Sequence, residues 1–166
     1  MPVSWFKKSS AEEPPGAGNL QTTETAPPSI EPLTDDEVEW VRTTIAELTE
    51  QGVSPGDIDD LGRHYDELLA GWLRLREADR PESSGFLDQI GLAFGQHLAD
   101  HTGLEWCVAT DAQGVTIALH RPRTPGRVLL FPVEMVSRRW AAQETRVLPA
   151  LARATIQAVL DVPEHG

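Results

Sequence analysis

The chain is poor in the features that most quickly betray a function. It has one cysteine among 166 residues, so no intramolecular disulfide can form and a disulfide-stapled secreted mini-domain is excluded. Positive charge is scarce: 14 Lys and Arg stand against 26 Asp and Glu, a formal net charge of -12. A nucleic-acid scaffold needs a basic face and an anionic membrane surface attracts one, so neither is an expected partner. No run approaches the roughly 18 consecutive apolar residues of a spanning helix. There is no Gly-rich phosphate loop of the P-loop or dinucleotide type, which removes the usual nucleotide sites. The opening Met1-Pro2-Val3-Ser4-Trp5-Phe6-Lys7-Lys8 has few apolar residues, and they precede the lysines. A secretory signal needs about 7–15 apolar residues after its positive charges, so a cytoplasmic protein without stable membrane anchoring is expected.

What is present reads as one α+β domain behind a tail. Residues 9–33 are rich in Pro, Ser, Thr, Glu and Gly with almost no large apolar side chain. Such a segment cannot bury enough surface to offset about 1–2 kcal/mol of backbone ordering per residue. Residues 1–33 are therefore expected to be a disordered tail, extended where Pro27-Pro28 and Pro32 force it, and residues 34–166 a single folded domain.

Thr34 and Glu37 have capping-box spacing, and Val38, Val41, Ile45 and Leu48 recur at helical intervals up to Gly52. After Ser54-Pro55-Gly56 comes a second stripe of Ile58, Leu61, Tyr65, Leu68 or Leu69, and Trp72. The two helices read as an antiparallel hairpin. Ser83 and Ser84 are candidate caps for a third helix over 85–101, with a core stripe of Leu87, Ile90, Phe94 and Leu98. Gly91 and Gly95 lie beside that stripe. Glycine inside a helix costs about 1 kcal/mol relative to alanine, which points to close backbone approach by a neighbour.

The period then changes to two. Leu104, Trp106 and Val108 alternate with Glu105, Cys107 and Ala109, and Asp111-Ala112-Gln113-Gly114 has turn chemistry. A second strand follows through Val115, Ile117 and Leu119. Val128-Leu129-Leu130-Phe131 suits a third, covered strand. Pro132 and Pro149 sit where helices start. The expected architecture is an N-terminal helical hairpin and a third helix packed on a three-stranded antiparallel β-meander, followed by C-terminal helices.

The charge is unevenly placed. Residues 34–82 hold 14 acidic and 5 basic side chains, a net of -9, whereas residues 83–166 hold 8 and 7, a net of -1. The first helical hairpin thus carries most of the charge, either as a solvated face or as a docking surface for a basic partner.

Five short runs carry a resemblance: Gly91-Leu92-Ala93-Phe94-Gly95; Leu104-Glu105-Trp106; Thr110-Asp111 with Gly114; Leu130-Phe131-Pro132-Val133; and Met135-Val136-Ser137-Arg138-Arg139. Together they resemble a bacterial family of uncharacterised proteins, the domain of unknown function 3806, over about residues 85–160. The resemblance implies a small bacterial protein, and it brings no assigned activity or catalytic residues.

Candidate sites are few. His97 and His101 stand four apart on the third helix, as a metal pair requires, but lack a glutamate between them and an evident third ligand. Cys107 is a nucleophile only if its pKa is depressed and a base such as His97 or His120 is in reach; a mid-strand cysteine otherwise packs as a small hydrophobe. Arg121, Arg123 and Arg127 crowd one loop and Arg138-Arg139 follow, so together they could hold a small anion or an acidic segment. Trp5 and Phe6, followed by Lys7-Lys8, form an aromatic-basic motif able to dock in a groove. The first reading is a non-enzymatic protein-binding or adaptor domain with no cofactor. Its partner is another protein or a second copy, the arginines of one chain meeting the acidic hairpin of the next. The rival is a small metal-dependent or thiol enzyme using His97, His101 and Cys107.

Overall fold

Thr34 decides where the first helix begins. Its hydroxyl accepts from the Glu37 N–H, and its own N–H donates to the Glu37 carboxylate at 2.9 Å, a complete capping box on α1 (Asp35–Glu50) worth about 1 kcal/mol. The other end closes with equal economy. Gly52 takes φ +82°, the Val53 N–H donates to Leu48 O at 2.9 Å and the Gly52 N–H to Thr49 O at 3.0 Å. This is the paired bonding of a Schellman stop, and its apolar partners Val53 and Leu48 are both buried. Asp57 then caps α2 (Ile58–Arg74), accepting from the Asp59 and Asp60 N–H groups.

The computed structural model describes residues 27–124 and 128–164. Beyond α2 and a short 3-10 turn, Glu77–Asp79, the elements are α3 (Ser84–Thr102), β2 (Glu105–Asp111), β3 (Gly114–His120), β4 (Leu129–Leu130), α4 (Pro132–Ala141) and α5 (Leu148–Asp161), with β1 (Ser29–Pro32) ahead of α1. The fold is α+β. Its sheet has the order β1-β2-β3-β4, antiparallel throughout. The meander thus has four strands where the sequence pattern shows three.

The extra strand comes from the stretch assigned to the tail. Ser29 to Pro32 pair with Thr110 to Cys107, so order begins before Thr34. The seven-residue β2 offers an outer edge with unmet backbone groups, and Pro32, which has no N–H, is tolerated because β1 is an edge strand. Residues 1–26, the rest of the expected tail, lie outside the described residues. The third strand is shorter than its apolar run suggests, since Phe131 already occupies the N-cap position of α4.

α3 is the central element and packs against all four other helices; α1 and α2 touch each other less than each touches α3. Its core residues Leu87, Ile90, Phe94 and Leu98 are buried, and Gly103 ends it with φ +74°. Neither Ser83 nor Ser84 caps it: Ser83 makes no side-chain cap bond, and the Ser84 hydroxyl donates to Glu82. Trp140 anchors the aromatic part of the core, with its ring centroid 5.7 Å from Tyr65, 5.5 Å from Trp72 and 5.1 Å from Phe86, all tilted or edge-on. The Tyr65 hydroxyl donates to Glu144 O at 2.9 Å, and the Arg146 N–H to the Asp66 carboxylate at 2.9 Å. These bonds pin the α4–α5 connection to α2. In that connection Gln143 and Arg146 hold positive φ, at a cost of order 1 kcal/mol each.

The two α3 glycines are where helix and sheet layers meet. A Cβ on Gly91 would lie 2.6 Å from Val133 Cα, and one on Gly95 would lie 2.8 Å from Pro132 Cγ and closer still to the Trp106 ring. Backbone, not a flexible side-chain tip, blocks Gly91. Gly91→Ala is therefore expected to destabilise by about 1–3 kcal/mol through overpacking, despite alanine's better helix propensity. Gly71→Ala in α2, where nothing lies within 4 Å, is expected to stabilise by about 0.5–1 kcal/mol. Urea midpoints of the two variants check the pair; equal shifts would contradict the close-approach argument.

Candidate functional site

Val38, Val41 and Ile45 repeat at intervals of three and four and so share one face of α1. Below them, Leu48 enters the core with no exposed surface, but Val38 is 51% exposed. The upper part of the stripe is open chiefly at Val38, since Val41 is buried and Ile45 half-buried. It forms one wall of an apolar groove of about 520 Å³, closed by Leu33 at the β1–α1 junction and by Gln96 of α3 and Trp106 of β2. The Trp106 indole N–H donates to the Gln96 side-chain oxygen at 3.0 Å, which leaves the ring face as apolar lining. Arg42 is the one ionisable residue among the described lining residues, and it is paired with Glu39 of the same helix. Such a surface can accept two or three apolar side chains, and its described lining residues include neither a nucleophile nor a proton shuttle.

The residues singled out for chemistry are placed elsewhere. The His97 and His101 rings stack with centroids 4.2 Å apart, and His101 Nδ1 bonds the His97 carbonyl at 2.8 Å. Burial, and then the neighbouring His101, hold the His97 pKa below its ordinary value. Among the described residues no three His, Cys, Asp or Glu side chains are grouped to hold a metal ion. Cys107 lies in a second, small apolar cluster with Ala109 and Ala118, against Ile30, Leu129 and Phe131. Strand pairing sets Cys107 opposite Ala118 and Glu105 opposite His120, so Cys107 and His120 share a sheet face as diagonal neighbours. Burial alone pushes the thiol up to about 11, the reverse of what a nucleophile needs.

The arginines are divided among separate partners. Arg121 donates to Val159 O at 2.8 Å, Val162 O at 2.9 Å and Pro163 O at 3.3 Å. It thus caps the C-terminus of α5, where carbonyls point outward and a cation is favoured. Arg138 pairs with Glu134 and Arg139 with Glu144. Arg123 is exposed, while Arg127, Trp5 and Phe6 lie outside the described residues.

Asp88 is a titratable group that sequence patterning did not mark. It sits on α3, and burial alone drives its pKa up to about 7. Charge on a single aspartate cannot be read from periodicity, because its burial depends on how closely neighbouring elements approach.

Residues 72–149 match the family described as Domain of unknown function (DUF3806). This segment runs from the end of α2 to the start of α5, so it holds α3, β2, β3, β4 and α4. It overlaps most of the stretch whose motifs carry the resemblance, and it contributes Gln96 and Trp106 to the groove. The α1 wall lies outside it. Neither a curated protein nor a solved structure matches the chain. No helix of the described residues is long and apolar enough to cross a membrane.

Asp88 gives a pH signature. Its folded pKa, about 7, exceeds the ordinary value of 3.8. Between those values the unfolded chain is ionised while the folded one keeps its proton, so this group's contribution to stability falls as pH rises from about 4 to 7. Asp88→Asn is expected to raise the urea midpoint at pH 8, and the gain should vanish below pH 4. A gain independent of pH would contradict the assignment.

Proposed function

We propose that this is a non-enzymatic protein-binding domain that captures a short peptide segment in the groove between α1, α3 and β2. The observation that carries the reading is that groove: apolar, open, and flanked by a helix with six acidic residues and one basic one. Apolar walls supply binding through area removed from water, about 25 cal/mol per Å² before ordering costs. The acidic helix favours a segment with basic flanks. The matching ligand is a short run with two or three aliphatic or aromatic anchors beside Lys or Arg. The rival enzyme reading finds less support, since Cys107 is buried and held protonated while the His101 ring is engaged by the His97 carbonyl on α3.

A random peptide library panned against the full chain tests this. It is expected to enrich sequences with apolar anchors and a basic flank, and Val38→Asp should weaken their binding at least tenfold. Val38 is exposed, so the substitution leaves the core intact. No enrichment, or enriched peptides indifferent to Val38→Asp, would overturn the reading.

A further inference from the structure

The groove has a candidate occupant in the chain itself. Trp5 and Phe6 are the one pair of adjacent aromatic residues in the sequence, and Lys7 and Lys8, directly after them, are its only two lysines. The described chain starts at residue 27, two residues before β1, and β1 leads straight to Leu33 at the groove's end. Phe6 and Pro27 are 21 residues apart along the chain. Fully extended, 21 residues reach at most about 70 Å, well beyond the ~24 Å length of a 16-residue helix such as α1. The chain is therefore long enough for Trp5 and Phe6 to reach the groove.

From these juxtaposed facts we propose that Trp5 and Phe6 dock intramolecularly in the groove of Val38, Val41, Ile45 and Trp106, with Lys7 and Lys8 set against the acidic face of α1. The proposal rests on the groove being a peptide site and names its resident segment. Aromatic rings match the lining, since Trp106 offers a ring for offset or edge-on contact and the α1 stripe offers methyl groups. The charges match as well: α1 exposes Asp35 and Asp36 in its first turn, Glu37 being buried in the capping box, and carries a net charge of -5 from six acidic residues and Arg42. Lys7 and Lys8 follow the aromatics directly in sequence, so seating the rings brings both cations to that surface.

Tethering makes a weak contact effective. A short flexible linker gives an effective concentration of about 1 mM, so a segment with an intrinsic dissociation constant of ~0.1 mM would fill the groove roughly nine-tenths of the time. An external peptide then binds about tenfold more weakly, because only the open fraction is competent. The tail would act as a competitor that a better-matched partner displaces.

A nitroxide on Ser4→Cys in the full chain tests this. Cys107 is buried with its thiol held protonated, so labelling is selective. The expected result is broadening of the Val38, Val41 and Ile45 resonances within one chain, lost on Trp5→Ala with Phe6→Ala. Peptides from the panned library should bind that double variant about tenfold more tightly than the parent. Broadening only elsewhere, or surviving the double substitution, would overturn the proposal. So would broadening in isotope-labelled chains mixed with spin-labelled ones, which would make a second copy the occupant. Panned peptides that bind the groove equally with and without Trp5 and Phe6 would sink the tail's role and leave the peptide site standing. Failure of panning with intramolecular broadening present would do the reverse.

Discussion

The fold depends on how closely α3 can be approached. Gly91 and Gly95 let Val133, Pro132 and Trp106 come within distances that no side chain would permit. α4 can therefore start against α3 immediately after β4, and the sheet can lie against the same helix through Trp106. Removing two side chains costs helix propensity of about 1 kcal/mol each. The return is a dense junction where buried atoms keep their dispersion contacts. α3 then serves all four other helices as a common surface.

That junction also sets the groove. Because Trp106 is pulled toward α3, its indole N–H reaches Gln96 and its ring faces the α1 stripe. The stripe is continuous along α1, but the neighbours end before it does. Leu48 is covered and Val38 is not. An apolar surface left open by the geometry of a packed neighbour differs from a scatter of exposed hydrophobic residues, which has no functional meaning.

The elements governed by local rules were legible in the sequence. Thr34 with Glu37, Gly52, Pro132 and Pro149 mark helix ends through backbone bonding that involves only neighbouring residues, and each does so in the structure. The glycine pair on α3 announced a close approach for the same reason. The strand β1 was not legible: Ser-Ile-Glu-Pro lacks alternation and owes its pairing to an edge 75 or more residues away. The groove was half legible. Val38, Val41 and Ile45 declare an apolar face, yet periodicity does not say which part of a face its neighbours cover. Arg121 shows a second limit, since a crowd of arginines in one loop says nothing of the carbonyls, far along the chain at the end of α5, to which one guanidinium donates.

The sheet borders carry a consequence for how anything can attach to this molecule. β1 is bracketed by Pro28 and Pro32, which have no N–H to offer, and Glu31 adds a charge between them. The opposite border, β4, is two residues long and runs directly into a helix. Among the described residues, both borders are poor templates for a further strand from another chain, which works against edge-to-edge growth. Recruitment by main-chain ladder extension is disfavoured for the same reason. Side chains then carry more of the recognition than backbone shape does.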